Sequence, residues 1–182
     1  MKPAYSVLRC KGFGNVGYID DTYLQGKTFY DCEVNISTAG KLFRDLDLTS
    51  NMGKSVPIPT QCITLLGFAL TSVLMSVSPT STKAMKIKSK AVELLNIQSP
   101  KIRTVSEVIG LMVAGFPGVM YGPRYCRQLE LKKVAALKQS RGKFEATMSL
   151  SDKARSDLQS WIENIISTSN RTTHGNPTPR WY

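Results

Sequence analysis

The sequence predicts an α+β fold in which a small β-rich front, residues 1–78, is followed by a helical back, residues 79–166. Short apolar runs flanking turn residues dominate the first part, and apolar positions three and four residues apart dominate the second. The charge changes in the same direction, because the net charge of +11 lies wholly after residue 50. Residues 167–182 are polar and contain two prolines, which predicts a linker.

The front begins with a predicted β-hairpin and a predicted helix. The short apolar runs at 16–19 and 23–24 lie on either side of the acidic pair Asp20 and Asp21. Residues 31–46 then have their apolar side chains at helical spacing. The sequence therefore places two adjacent carboxylates at a hairpin turn.

The later elements follow from the same two patterns. Pro79 and the hydroxyl residues after it indicate a helix start, and Thr104 with Glu107 three residues on predicts a capping box. Ser151 is a further predicted helix cap. The expected elements are a second hairpin with strands 63–70 and 74–77, and helices beginning at 79 and spanning 104–116, 124–138 and 151–166.

Composition argues against several classes of protein. The four cysteines form no C-x-x-C pair and the single histidine, His174, lies in the polar tail, so we expect no structural zinc site. Residues 1–12 are polar and broken by Pro3 and Gly12, unlike a secretory signal. The most apolar run, 62–77, is short for a membrane span. These features predict an intracellular protein, cytoplasmic or nuclear, without a membrane partner.

The basic residues of the back are grouped. Lys83, Lys86 and Lys90 fall together beside an apolar stripe on the first predicted helix of the back. Such side chains contact phosphates without sequence preference, whereas the alternative is a solvated basic face. A second basic stretch consists of Lys132, Lys133, Lys138, Arg141 and Lys143.

Tyr18-Ile19-Asp20-Asp21 is the sharpest candidate for chemistry. Adjacent carboxylates repel each other and are costly to bury unpaired, so a divalent cation stabilises them. Mg²⁺ prefers hard oxygen ligands and combines one or two carboxylates with phosphate oxygens. Such a site serves phosphoryl transfer, in which two metal ions activate a hydroxyl and stabilise the leaving group. The alternative is an ordinary solvated Asp-Asp turn.

The surroundings of this tetrapeptide resemble the catalytic hairpin of reverse transcriptases. Arg9-x-x-Gly12 precedes it and Tyr23-Leu24-Gln25-Gly26 follows it. After a helix, the order of motifs is similar to the end of the palm in retroelements of the gypsy and DIRS kind: Lys54-Ser55-Val56, Pro59-Thr60-Gln61 and Leu66-Gly67-Phe68. The region 104–129 resembles the helical segment after the thumb of DIRS-type elements, with Ile109-Gly110, Phe116-Pro117 and Tyr121-Gly122-Pro123.

The resemblance implies a role for each matching residue. Asp20 and Asp21 would be catalytic and would hold Mg²⁺, and Tyr18 would lie close to the primer terminus. Lys54 would lie near the phosphates of the incoming nucleotide. The remaining implied roles are a primer grip at Leu66, Gly67 and Phe68, and contacts to the nucleic-acid backbone by Lys83, Lys86 and Lys90.

Two departures from the family pattern accompany the resemblance. Asp47-Leu48 stands where the family usually has Gly-Phe after the palm helix. The family's other catalytic aspartate comes from a strand well upstream, and this sequence begins 17 residues before Tyr18. We therefore expect the fingers, that strand and the ribonuclease H domain to be missing, and the Mg²⁺ site to be completed by an upstream fingers and palm segment.

The leading hypothesis is a partial reverse transcriptase, an RNA-directed DNA polymerase fragment that is inactive alone. It would consist of the end of the palm at 1–78 and a helical thumb and connection at 79–166, with RNA/DNA primer–template as its partner. One alternative is a non-catalytic module that binds nucleic acid through its basic surface. Another is a relic reading frame with no selected role.

Overall fold

The α+β prediction is confirmed by a computed structural model, which describes residues 2–166 and 170–171. Six α-helices and two small sheets occur in the described part of the chain. None of the helices there is both long and apolar enough to span a membrane. The helices are α1 (Lys2–Cys10), α2 (Phe29–Asp45), α3 (Ser81–Asn96), α4 (Ile102–Gly115), α5 (Arg127–Gln139) and α6 (Asp152–Asn164).

The strands form one two-stranded and one four-stranded sheet. β1 (Gly14–Tyr18) and β2 (Asp21–Gln25) pair antiparallel, with Tyr18 opposite Asp21. The larger sheet has the order β3-β4-β5-β6, with β3 (Cys62–Leu65), β4 (Phe68–Thr71), β5 (Ser76–Pro79) and β6 (Asn170–Arg171). Within the predicted linker only Asn170–Arg171 are described, and they form β6. The rest of that segment, including His174, lies outside the described residues.

The chain divides into two compact units. Of the described residues, the first unit contains 2–65 and 70–76, and the second contains 66–69, 77–166 and 170–171. The assignment of parts of the chain to palm and thumb stays a prediction.

In the first unit, the β1–β2 hairpin packs against α1 and α2. Helix α1 was not predicted, because Pro3 lies in a segment that reads as polar; proline is compatible with the first turn of a helix. Side chains from both helices form a small apolar cluster with the hairpin. Its buried members are Ala4, Tyr5, Leu8, Ala39 and Phe43, flanked by Phe13, Leu24 and Leu42.

The second unit has the larger core, built from α3 to α6. The predicted stripe on α3 is confirmed, because Ala84, Ile87, Ala91 and Leu94 are buried and Leu95 packs against them. Trp161 of α6 is almost completely buried in this core. The predicted Ser151 cap is confirmed as well, since its side chain accepts a hydrogen bond from the Ala154 N–H.

Two local predictions for the back and the second hairpin were wrong. Helix α4 begins at Ile102 with Lys101 as its N-cap residue, so Thr104 lies inside the helix and forms no capping box with Glu107. The predicted strand 63–70 is two strands, β3 and β4, separated by Leu66 and Gly67. The mostly apolar run around it hid this turn, because only Gly67 in that run signals one.

Candidate nucleic-acid interface

The acidic turn is a two-residue connection between β1 and β2. Ile19 has a φ of 51° and Asp20 does not have a positive φ, which is the pattern of a type II′ turn. Glycine is usual at the first position of such a turn, so a β-branched residue there is strained. The side chains of Tyr18 and Ile19 are 56% and 74% exposed, and both carboxylates are exposed as well. The predicted hairpin is thus confirmed, with its acidic residues at an exposed turn.

Polar side chains from the two flanking helices hold this hairpin in place. The buried Asn35 amide of α2 donates to the Gly14 carbonyl at 3.0 Å and to the Gln25 carbonyl at 3.2 Å, which clamps the open end of the ladder. The Tyr5 hydroxyl of α1 hydrogen-bonds to the Thr22 hydroxyl at 2.8 Å. These hydrogen bonds were not predicted from the sequence. The one feature that could have indicated them is a polar residue, such as Asn35, at a helix position where the spacing predicts a buried apolar side chain.

Gly17 permits the closest of these contacts. A Cβ atom on Gly17 would overlap the ring of Tyr5, which is itself buried. Asn15 on the same strand is also buried and donates to the Tyr5 and Phe13 carbonyls at 3.4 and 3.0 Å. The strand is therefore seated directly on α1, so the turn beyond it projects from a supported base.

The carboxylates of Asp20 and Asp21 fit part of a Mg²⁺ site. They are exposed oxygen ligands, and neither forms an ion pair with another described residue. Across residues 2–166 and 170–171, no group of three or more His, Cys, Asp or Glu side chains is placed to hold a metal ion. Asp31, the next carboxylate in sequence, instead forms a capping box with Thr28 at the start of α2.

Lys54 lies in the connection between α2 and β3, in the same unit as the acidic turn. Its side chain is exposed, and its backbone N–H donates to the Asn51 carbonyl at 3.1 Å in a local turn. No ion pair between Lys54 and Asp20 or Asp21 occurs among the described residues. The predicted role of Lys54 beside the nucleotide phosphates stays a prediction.

The residues predicted as a primer grip form the second sharp turn. Leu66 and Gly67 connect β3 to β4 and have φ angles of 51° and 77°, the pattern of a type I′ turn. Phe68 follows and is 9% exposed. Gly118 lies against Phe68, since a Cβ on Gly118 would be 3.0 Å from the Phe68 ring. Phe68 is therefore an anchor, whereas Leu66 is exposed at the tip.

Lys83 of α3 joins this turn, which the sequence did not indicate. Its Nζ donates to the Leu66 carbonyl at 3.3 Å and lies 3.7 Å from the centroid of the Phe68 ring. Burial lowers the pKa of the Lys83 amine. The Thr80 N–H, at the N-cap of α3, donates to the Gly67 carbonyl at 3.0 Å. Two of the predicted sites, the primer grip and the first basic residue, are thus one cluster.

The other two lysines of the predicted basic edge differ from Lys83. Lys90 pairs with Glu93 at 2.6 Å, and this partner raises the pKa of the Lys90 amine. Lys86 is exposed and forms no ion pair with another described residue. The basic edge predicted on α3 therefore consists of one tethered, one paired and one solvated cation.

The second basic stretch lies on α5 and the loop that follows it. Lys132, Lys138, Arg141 and Lys143 are exposed, and Lys133 is partly buried. A groove of about 450 Å³ adjoins this helix. Its lining is mostly polar and consists of Lys132, Ala135, Ala136, Gln139, Ser140, Thr147, Met148 and Ser149.

Helix α2 is followed by a residue with a left-handed backbone conformation. Asp47 has a φ of 54°, and the N–H groups of Asp47 and Leu48 donate to the carbonyls of Arg44 and Phe43 at 3.0 and 2.8 Å. This is a Schellman motif, in which the left-handed residue is usually glycine. Asp47 therefore adopts the backbone conformation that a glycine at this position would adopt.

No protein-family model, no curated protein and no solved structure matches the chain. The resemblance to reverse transcriptases therefore rests on the motif residues of this sequence.

Proposed function

We propose that this chain is part of an RNA-directed DNA polymerase, to which it contributes a catalytic carboxylate turn and a surface for the primer–template duplex. The observation that carries the proposal is the Tyr18–Asp21 turn, which exposes two adjacent carboxylates on a hairpin clamped by Asn35 and seated on α1. A supported turn can hold metal ligands still while substrate approaches, which nucleotidyl transfer requires.

Mg²⁺ bound there would activate the primer hydroxyl and stabilise the leaving pyrophosphate. The chain's own contribution is the pair of exposed carboxylates of Asp20 and Asp21, which water and a metal ion can reach. In the family the sequence resembles, a further aspartate comes from an upstream strand. We therefore propose that a fingers and palm segment completes the site, and that this chain alone does not extend a primer.

The Schellman motif at Asp47 supports the same proposal. The family pattern has glycine in this place, and Asp47 adopts the left-handed conformation that glycine favours. The substitution therefore leaves the path of the chain after α2 compatible with that pattern.

The metal role is tested on the whole chain by paramagnetic broadening with Mn²⁺. We expect Mn²⁺ to broaden the amide resonances of residues 18–22 first, and the double substitution Asp20→Asn and Asp21→Asn to remove this effect. Asp45→Asn, which removes an exposed carboxylate at the end of α2, is the matched control and should leave the broadening in place. Equal broadening in the double variant would contradict a metal site at this turn.

Primer extension on an RNA template separates the partial enzyme from a complete one. With Mg²⁺ or Mn²⁺ we expect no templated extension by the chain alone. Templated extension that Asp20→Asn abolishes would show that the chain carries a complete site, and would refute the proposal that it is a part.

A second candidate function is a non-catalytic module that binds nucleic acid. The net charge of +11 and the exposed cations of α3 and α5 favour it. Salt-dependent binding of an RNA–DNA duplex without Mn²⁺ binding at residues 18–22 would select this candidate over the first.

A further inference from the structure

The ammonium group of Lys83 lies against the protein, unlike that of a lysine that contacts phosphates from the solvent. The ammonium group faces the ring of Phe68 at 3.7 Å and donates to the Leu66 carbonyl at 3.3 Å. Both interactions attract the charged amine toward the turn. A lysine that contacts duplex phosphates would leave its ammonium group in solvent, as Lys86 does.

The stem of the lysine side chain also lies close to the turn. Gly67 has a φ of 77°, and a Cβ at this position would be 3.1 Å from the Lys83 Cδ atom. The glycine thus serves two purposes, the left-handed conformation and the close approach of the lysine side chain. The adjacent hydrogen bond from the Thr80 N–H to the Gly67 carbonyl, at 3.0 Å, ties the same turn to the start of α3.

We propose that Lys83 is a positioning residue, which fixes the turn at Leu66, Gly67 and Phe68 on α3, and that the exposed tip of this turn contacts the nucleic-acid backbone. The proposal rests on the proposed binding of a primer–template duplex. It gives two lysines of the predicted basic edge different roles, since Lys83 orders the turn whereas Lys86 contacts phosphate directly.

The two roles have different signatures in duplex binding. A direct phosphate contact releases condensed counterions, so its loss lowers the slope of log affinity against log salt by roughly 0.7 to 0.9. A positioning residue releases none, so its loss weakens binding at every salt concentration and leaves the slope unchanged. A residue with a purely structural role, remote from binding, would change neither quantity.

The experiment compares Lys83→Met with Lys86→Met in the full chain. Methionine keeps an apolar stem and removes the charge. For Lys83→Met we expect about fivefold weaker binding of an RNA–DNA duplex at an unchanged salt slope. For Lys86→Met we expect the slope to fall. Lys83→Arg should restore affinity, because a guanidinium can stack on Phe68 and donate to the Leu66 carbonyl.

Amide hydrogen exchange provides a readout that does not need nucleic acid. The Thr80 N–H should exchange faster in Lys83→Met than in the parent and in Lys86→Met, because the turn that supplies its acceptor is released. Unchanged Thr80 exchange in Lys83→Met, or a slope reduction like that of Lys86→Met, overturns the positioning role. A parent chain that binds no duplex refutes the proposed function, while the exchange measurement still tests the link between Lys83 and the turn.

Discussion

The β1–β2 turn and the β3–β4 turn have the same length, but they use their polar groups differently. Each joins two strands with two residues, and each has a left-handed residue with a branched aliphatic side chain, Ile19 or Leu66. The acidic turn carries exposed carboxylates that form no ion pair within the described part of the chain. The apolar turn is held by Lys83 and continues into the buried Phe68. The acidic turn therefore leaves its carboxylates exposed and is supported from its base, whereas the Leu66–Gly67 turn uses its carbonyl groups in hydrogen bonds within the fold.

The largest expected effect concerns the base of the acidic turn. Gly17→Ala should destabilise the chain by roughly 2–3 kcal/mol, because the new Cβ would overlap the ring of Tyr5. The buried ring cannot move without losing its hydrogen bond to Thr22. The urea unfolding midpoint measures this loss.

Gly40→Ala on α2 is the matched control in the same unit. Its nearest neighbour would be the Arg44 guanidinium at 3.6 Å, so alanine fits and should stabilise the helix by about 0.5–1 kcal/mol. A Gly17→Ala chain as stable as the parent would show that the hairpin is not seated on α1 as described.

The next effect compares the strain in the two turns. Ile19→Gly should stabilise the fold by about 1 kcal/mol, since it removes a β-branched residue from a left-handed conformation. Leu66→Gly should give a smaller gain, because leucine is not β-branched and is therefore less strained in this conformation. Thermal unfolding of both variants checks the order. A larger gain in stability for Leu66→Gly than for Ile19→Gly would show that the β3–β4 turn is the more strained of the two.

The smallest expected effect is on the pH dependence of stability and concerns Asp157, a carboxylate that forms a hydrogen bond within the fold. Asp157 of α6 accepts a hydrogen bond from the Gln128 N–H at 3.2 Å, and burial raises the pKa of its carboxyl despite that bond. A carboxyl with a raised folded pKa stabilises the fold below its unfolded pKa, and this contribution is lost as pH rises through the folded pKa. Asp157→Asn should therefore reduce the loss of stability as pH rises from about 4.

The pKa of Glu145 is shifted in the opposite direction to that of Asp157. Hydrogen bonds from Arg103 and Lys101 lower the pKa of its carboxyl, so its contribution is present above the unfolded pKa and is lost as pH falls. As pH rises through the acidic range, the urea midpoint relative to that of the parent should rise for Asp157→Asn and fall for Glu145→Gln. Parallel changes in the two variants would contradict these environments.

The secondary structure was largely predictable where side-chain pattern decides it. The stripe on α3, the helix at 31–46 and the acidic hairpin were all confirmed, because apolar spacing reports directly which face is buried. The turn inside 63–70 was not predictable in the same way, since the residues on both sides of it are apolar. Helix α1 was missed because its buried residues, Ala4, Tyr5 and Leu8, are too few to outweigh a polar composition.

The sequence by itself determined the α+β class, the position of the carboxylates at a hairpin turn and the concentration of positive charge after residue 50. The tertiary structure decided which polar groups remain available. Asn35 and Tyr5 form hydrogen bonds with the β1–β2 hairpin, and Lys83 forms one with the β3–β4 turn. Asp20 and Asp21 remain exposed. The physical reason is that each of these hydrogen bonds joins groups that lie 10 to 21 residues apart in the chain, and local spacing does not report such contacts.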